Sequence, residues 1–155
     1  WTGQRVLDWA YLNGNAHLRP VFLRQACFGR GLPERDLMVS PNHRLVVSAS
    51  QTALFEARDE LLVAAKHIVN AKDIRQVDVL GVTYVHFMFD RHEIVMANGV
   101  WVECFQTADV SLGAVGNAQR SEIFELFPAL QETRSPKSVA AAKRRVRAIV
   151  LDAES

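Results

Sequence analysis

Apolar and polar residues alternate over much of the first two thirds of the chain, a pattern that predicts β-strands with one buried face. The clearest case runs from Ile74 to Leu80, where Ile74, Val77 and Val79 are interspersed with polar residues. Further short strands are predicted at Arg19–Leu23, Arg35–Val39, Leu45–Val47 and Val82–Phe89. Glu60–Val69 mixes helix-favouring and strand-favouring residues, and we interpret it as a strand that leads into a short turn.

A β-hairpin is the most specific local prediction. Two apolar runs, His92–Met96 and Val100–Val102, flank Ala97 and the dipeptide Asn98-Gly99. Asn and Gly both tolerate positive φ, so they favour the tight turn that matches the twist of paired strands.

The pattern changes after Phe105. Gln106–Arg120 is small and polar and predicts a loop or linker, whereas Ser121–Phe127 predicts a short helix capped by its serine. Lys137–Asp152 has the apolar spacing and alanine content of a second helix. The chain is thus predicted to comprise a β domain over residues 1–106 and a loop with a helical extension over 107–155.

Composition restricts the possible partners. The 155 residues are 49% hydrophobic and 23% charged, with a net charge of +1. This is the profile of a soluble globular protein with no overall charge bias toward nucleic acid or membrane. No apolar run approaches the roughly 20 residues that span a bilayer. Because the chain starts at Trp1 without an initiator methionine, we expect it to begin inside a larger protein.

Cysteines and histidines indicate no metal or cofactor site. The chain has two cysteines, Cys27 and Cys104, and five histidines. Two cysteines are too few for a disulfide framework and lack zinc-site spacing, so both are expected to be reduced thiols in the core. The separation of His86 and His92 suits either the two arms of one hairpin or one side of a single long strand, but this spacing makes no compact metal site.

The stretch VSPNHRLVV, residues 39–47, leaves two readings open. Ser40 and His43 stand three residues apart just ahead of an apolar strand, an arrangement compatible with a hydrolytic pair. However, no GxSxG elbow is present, and Ser-Pro-Asn-His is also an ordinary turn sequence. A basic run, Lys143–Arg147, likewise has a plain interpretation as the solvated face of the predicted helix.

Three segments, taken in order, resemble the Hint domains, the Hedgehog/intein autoprocessing family, and in particular bacterial Hint-type domains. They are GLPERDLMVSPNHR (31–44), LVAAKHIVN (62–70) and VTYVHFMFDRHEIVMANGVWVE (82–103). The resemblance covers roughly residues 1–106. It implies a pseudo-twofold fold of long bent antiparallel strands, here followed by helices.

The resemblance also implies roles for individual residues. Ser/Thr-x-x-His is the family motif that promotes an N–S or N–O acyl shift, in which a Cys or Ser attacks the preceding peptide carbonyl. His43 would protonate the departing amide nitrogen, and Ser40 would hold and strain that amide. His86 would lie in the same pocket, although a structurally satisfied histidine is an equal alternative. His92 is expected to form structural hydrogen bonds.

Departures from the family limit these implications. The nucleophile block that precedes the motif is absent, and Cys27 lies too close to His43 to replace it. Glu103-Cys104 stands where inteins end in His-Asn, so cyclisation of an asparagine and full splicing are not expected.

We therefore expect a Hint-type domain that cleaves its own polypeptide flanks with the help of the missing N-terminal segment, and that is inactive alone. It would need no cofactor or metal and bind neither nucleic acid nor membrane. The alternative is a degenerate, non-catalytic β-module that serves folding or interaction in a larger protein. A hydrolase acting in trans is disfavoured, and the location, cytoplasmic or secreted, stays open.

Overall fold

The computed structural model describes residues 1–48, 60–90, 92–104, 113–131 and 142–148, with the backbone alone described for 113–116 and 142–148. Strands dominate these residues, so the predicted mainly β fold is confirmed. The ten strands are β1 (Thr2–Asp8), β2 (Val21–Leu23), β3 (Leu37–Val39), β4 (Arg44–Ser48), β5 (Glu60–Ala64), β6 (Ile74–Gln76), β7 (Gly81–Phe87), β8 (Glu93–Ala97), β9 (Val100–Cys104) and β10 (Ala142–Ala148). The two α-helices are α1 (Trp9–Gly14) and α2 (Gly113–Leu126), and short 3₁₀ turns cover Ala16–Leu18, Ala65–His67 and Pro128–Gln131.

The described residues form three sheets. The largest has the order β10-β8-β9-β4-β5, a second has β3-β2-β6, and β1 pairs with β7 alone. All pairings are antiparallel except that of β10 with β8, which is parallel. The β4 strand therefore lies between β5 and β9, near the centre of the largest sheet.

The predicted hairpin is confirmed. β8 and β9 pair antiparallel, with Ala97 opposite Val100. Asn98 and Gly99 connect them with φ of 48° and 81°, the two consecutive positive values that this tight turn requires.

Two apolar clusters form the core. The first joins the large sheet to the three-stranded sheet and contains Val21, Leu23, Leu45, Val47 and Val95, all at most 1% exposed. The second packs β1, α1 and β7 against α2 and the turn after it. Leu7, Leu12, Val82 and Tyr84 meet Ile123, Leu126, Phe127 and Leu130 there. Residues before and after the gap at 105–112 thus share one core.

Several predicted elements near the carboxyl end differ from the structure. The loop expected over Gln106–Arg120 is already helical from Gly113, so Ser121 lies within α2 and does not cap it. Residues 105–112, where the predicted boundary at 106 falls, lie outside the described residues, and the division of the chain there stays a prediction.

The second predicted helix, Lys137–Asp152, is wrong where the structure describes it. Ala142–Ala148 forms β10 along the edge of β8, and it carries the basic run Lys143–Arg147. Pairing with the open edge of β8 gives the backbone N–H and C=O groups of β10 hydrogen-bond partners that are distant in sequence. Such tertiary pairing overrides a local helical preference. The remainder of 137–152 lies outside the described residues.

Two smaller differences concern the amino-terminal half. The strand predicted from Ile74 to Leu80 ends at Gln76. The helix α1 was not predicted; it begins after Asp8, whose carboxylate caps it by accepting a hydrogen bond of 2.8 Å from the backbone N–H of Tyr11.

Candidate functional site

The turn from Ser40 to His43 links β3 to β4. It is closed by a hydrogen bond of 3.0 Å from the His43 N–H to the Ser40 carbonyl. Two further backbone bonds tie it to the turn after β5: Ala65 N–H donates to the His43 carbonyl and Lys66 N–H to the Pro41 carbonyl, both at 2.9 Å. The backbone of the turn is therefore fixed both by its own hydrogen bond and by the residues that follow β5.

His43 is half-buried at the end of this turn. Its Nε2 is buried and has no hydrogen-bond partner among the described residues. Burial lowers the pKa of His43 below its usual 6.5; the charge of Glu103 opposes this shift, and that of Arg44 adds to it. The imidazole is thus neutral near pH 7, with one ring nitrogen available for a proton or a hydrogen bond.

An ion pair lies next to His43 in sequence and in space. Arg44 on β4 is 6% exposed, and Glu103 on β9 is fully buried. Arg44 Nε donates to Glu103 Oε2 at 2.5 Å, and its Nη2 donates to Oε1. His92 completes the group, with its Nε2 2.6 Å from Glu103 Oε1, which agrees with the structural role expected for it.

The ion pair sets the charge on Glu103. Burial alone would raise the pKa of this carboxyl, but hydrogen bonds from His92 and Arg44, together with their charges, lower it below its usual value. Glu103 is therefore ionised and supplies a fixed negative charge near His43. Its negative charge favours the protonated imidazole that forms when His43 takes up a proton.

A second carboxylate reaches the turn from α2. Asn42 donates to Glu122 Oε2 twice, through its backbone N–H at 2.9 Å and through Nδ2 at 2.8 Å. The Ser40 hydroxyl also donates a hydrogen bond to Glu122. Burial raises the pKa of Glu122, while these hydrogen bonds and the charge of Lys66 work against the rise.

His86 lies in an aromatic group at the end of β7. It is opposite Gly3 of β1. Its ring centroid is 6.1 Å from that of Trp1 and 6.0 Å from that of Phe127, which it stacks against at 28°. Trp1 and Phe127 in turn meet edge to face at 5.5 Å.

The structure thus brings Ser40 and His43 into one turn, and it places His86 with aromatic rings. The link between the two places is α2 and the residue after it, since Glu122 contacts the turn and Phe127 contacts His86. Glu122 and Phe127 are five positions apart, which corresponds to about 7.5 Å along a helix axis. The role expected for His86 stays a prediction.

Arg44, Glu103 and Glu122 were missed by the sequence reasoning. Glu103 carried a signal, because a carboxylate inside the apolar strand Val100–Cys104 must find a buried partner. Glu122 carried none, since only the packing of α2 brings it to a turn 80 residues earlier.

The thiols are poor nucleophiles. Burial, helped by the charge of Asp73, raises the pKa of Cys27 to about 11. Burial, with the charges of Glu103 and Glu93, raises that of Cys104 to about 12. Both are free, and Cys27 packs against the first core cluster as expected. Neither forms the thiolate that attacks a carbonyl at neutral pH.

The described residues hold neither a cluster of metal-ligating side chains nor a helix that could span a membrane. In those parts of the chain no three His, Cys, Asp or Glu side chains are grouped as metal ligands would be. No helix within the same ranges is both long and apolar enough to cross a membrane.

Fold and site together define a mainly β protein with a half-buried histidine that is neutral near pH 7, in a turn braced by the Glu122 carboxylate. The family model of the Hint domain matches residues 1–109. The chain therefore belongs to the Hint domain family, as its resemblance predicted. No curated protein and no solved structure matches it.

Proposed function

We propose that this chain is the proton-transfer part of a Hint domain that cleaves a peptide bond of its own polypeptide through an N–S or N–O acyl shift. The observation that carries the proposal is the buried Nε2 of His43, which has no partner among the described residues. A histidine that served only the core would be expected to use both ring nitrogens, because an unpaired buried polar atom costs about 1–3 kcal/mol.

The chemistry follows from the neutral ring. A thiol or hydroxyl attacks the carbonyl carbon of the scissile amide, forming a C–S or C–O bond as its proton passes to His43. The imidazolium then gives that proton to the amide nitrogen as the C–N bond breaks, because an amine leaves only when protonated. Glu103 stabilises the imidazolium in between, and water hydrolyses the resulting thioester or ester.

Ser40 has a distinct role in this proposal. Its hydroxyl hydrogen is used by Glu122, so its oxygen lone pairs are available to accept the N–H of the scissile amide. A hydrogen bond accepted there would hold that amide next to His43 and favour its twisting out of conjugation, which a planar amide resists.

The nucleophile would come from polypeptide ahead of Trp1. The two thiols of this chain have raised pKa values. The amino group of Trp1 donates to the Met88 carbonyl at 3.1 Å, so residues joined ahead of it start beside His86 and Phe127. On this proposal the 155-residue chain is inactive by itself, and His86 lines the entry of the segment that completes the site.

A longer protein that includes the residues encoded ahead of Trp1 tests the proposal. We expect it to cleave itself, with release accelerated by hydroxylamine or a thiol, which trap an ester or thioester. His43→Ala should slow cleavage by about 100-fold or more, the usual contribution of a general acid–base. His67→Ala is the matched control, because His67 is exposed on the adjacent 3₁₀ turn.

The second candidate is a non-catalytic module, and the network around Glu122 favours it. Asn42 and Ser40 are both bonded to a buried carboxylate, which is also what a purely structural brace would look like. A longer protein that stays intact, with and without hydroxylamine, would establish this reading and overturn the autoprocessing one.

A further inference from the structure

Glu122 lies outside the region that the family model matches, yet it contacts the turn that carries Ser40 and His43. The match ends at residue 109, and α2 spans Gly113–Leu126. Glu122 is 4% exposed, so its carboxylate points into the protein and away from solvent.

The contacts of Glu122 converge on one short segment. Its Oε2 accepts from the backbone N–H and from Nδ2 of Asn42, and the carboxylate also accepts from the Ser40 hydroxyl. Three donors from two residues of one turn therefore depend on a single side chain.

These bonds fix the two features that the proposed reaction uses. Asn42 directly precedes His43, so its fixed backbone sets the direction in which the imidazole leaves the turn. Ser40 engages its hydroxyl hydrogen with Glu122, which leaves the oxygen lone pairs to accept another donor. The remaining backbone bonds of the turn, to Ala65 and Lys66, hold its carbonyls and leave the Asn42 N–H to Glu122.

We propose that Glu122 is a positioning residue for Ser40 and His43, and that α2 is thereby a working part of the site although it follows the matched domain. The functional half of this inference rests on the proposed autoprocessing activity. The structural half, that Glu122 holds His43 in its buried position, does not.

The structural half is tested on the 155-residue chain by NMR titration of the five histidine rings, with His43→Gln used for assignment. In the unaltered protein the His43 pKa lies below 6.5 because the ring is buried. Glu122→Ala and Glu122→Leu remove the acceptor, so the turn loosens, water reaches the ring, and the pKa rises toward 6.5. Glu122→Gln keeps an acceptor oxygen and should hold the His43 pKa close to that of the unaltered protein.

The matched control is Glu125→Ala. Glu125 is one helical turn further along α2 and pairs with the exposed His17 at 2.8 Å, so its loss should leave the His43 pKa unchanged. Glu122→Leu keeps a helix-favouring side chain of similar size and decides the matter if Glu122→Ala does not fold. An unchanged His43 pKa in folded Glu122→Leu, or an equal rise in Glu125→Ala, would overturn the inference.

The functional half is tested in the longer, self-cleaving protein. Glu122→Leu should slow cleavage by about 10- to 100-fold, the effect of misplacing a reacting group by about 1 Å, while Glu122→Gln restores most of the rate. If the unaltered protein does not cleave, the proposed function fails, and the NMR titration still decides whether Glu122 positions His43. If it cleaves and Glu122→Leu cleaves equally fast, the positioning role is wrong.

Discussion

Arg44 and Glu103 form a bidentate ion pair across neighbouring strands of the largest sheet, with Arg44 Nε 2.5 Å from Glu103 Oε2. Arg44 and Glu103 are 59 residues apart in sequence, and both side chains are buried. Since Arg44 follows His43 directly, this pair anchors the start of β4 at the residue after the candidate turn. Within the pair, the charge of Glu103 favours protonation of His43 and the charge of Arg44 opposes it.

Glu103→Ala should destabilise the protein by about 3–5 kcal/mol, because removing one partner leaves the Arg44 charge buried without compensation. Equilibrium unfolding in urea, followed by tryptophan fluorescence, measures this loss. The double variant Arg44→Met with Glu103→Leu removes both charges and should lose clearly less, since apolar pairs of similar volume replace buried ion pairs well. A double variant as unstable as Glu103→Ala would contradict this account.

Stability should fall as the pH drops below about 6.5 because of His43. Its folded-state pKa is lowered from 6.5, so the unfolded chain binds more protons in the interval between the two values. The stabilising contribution is therefore complete above 6.5 and is lost as the pH falls toward the folded-state pKa. Urea unfolding at a series of pH values measures the slope, which His43→Gln should reduce.

The difference in pH slope between the unaltered protein and His43→Gln gives the contribution of His43 apart from that of other titrating groups. Glu122, with a raised pKa, acts in the opposite direction: its contribution is complete below its unfolded value and is lost as the pH rises through the folded one. His67→Gln, which alters an exposed ring, should keep the slope of the unaltered protein. Equal slopes in all three proteins would show that burial does not depress the His43 pKa.

Gly99→Ala should destabilise the hairpin by about 1–3 kcal/mol, because a residue with a side chain is strained at positive φ. The φ of Gly99 is 81°, and an added Cβ would lie 2.6 Å from Leu32 Cδ2 and 3.3 Å from Glu34 Cγ. Thermal or urea unfolding checks this value. Gly14→Ala is the control. A Cβ added at Gly14 would meet nothing within 4 Å beyond its chain neighbours and its own helix backbone, so alanine there should be neutral or slightly stabilising.

Tyr84→Phe should cost about 1–2 kcal/mol, since it removes a buried hydrogen bond and leaves its acceptor without that donor. The Tyr84 hydroxyl donates to the Leu18 carbonyl at 2.7 Å, which joins β7 to the turn after α1 inside the second core cluster. Tyr11→Phe alters an exposed ring and should change the free energy of unfolding little. If the two substitutions changed the free energy of unfolding equally, the Tyr84 hydrogen bond would not be stabilising.

Local chemistry explains what could be predicted. Asn98 and Gly99 need no distant partner to favour their turn. The alternating or apolar runs predict β4, β7, β8 and β9 because the period of a strand depends on consecutive residues alone. The Ser40–His43 turn was likewise visible as a turn sequence. The roles expected for its side chains came from the resemblance to the Hint family, to which the chain belongs.

Long-range pairing explains what could not. β10 has the composition of a helix, and it becomes a strand because the edge of β8 offers backbone partners. The start of α2 at Gly113 was hidden by small and polar residues whose helicity is stabilised where the apolar face formed by Ile123 and Leu126 packs on β1 and β7.

The sequence by itself determined that this is a mainly β protein of the Hint family with Ser40 and His43 in one turn. Only the tertiary structure decided what surrounds that turn: Arg44 and Glu103 on one side, and Glu122 on the other. A turn is a contact among neighbours in sequence, whereas the charge of Glu103 that acts on the pKa of His43 and the carboxylate of Glu122 that accepts from Asn42 come from about 60 and 80 positions away. Those residues meet only when the sheets and α2 pack together.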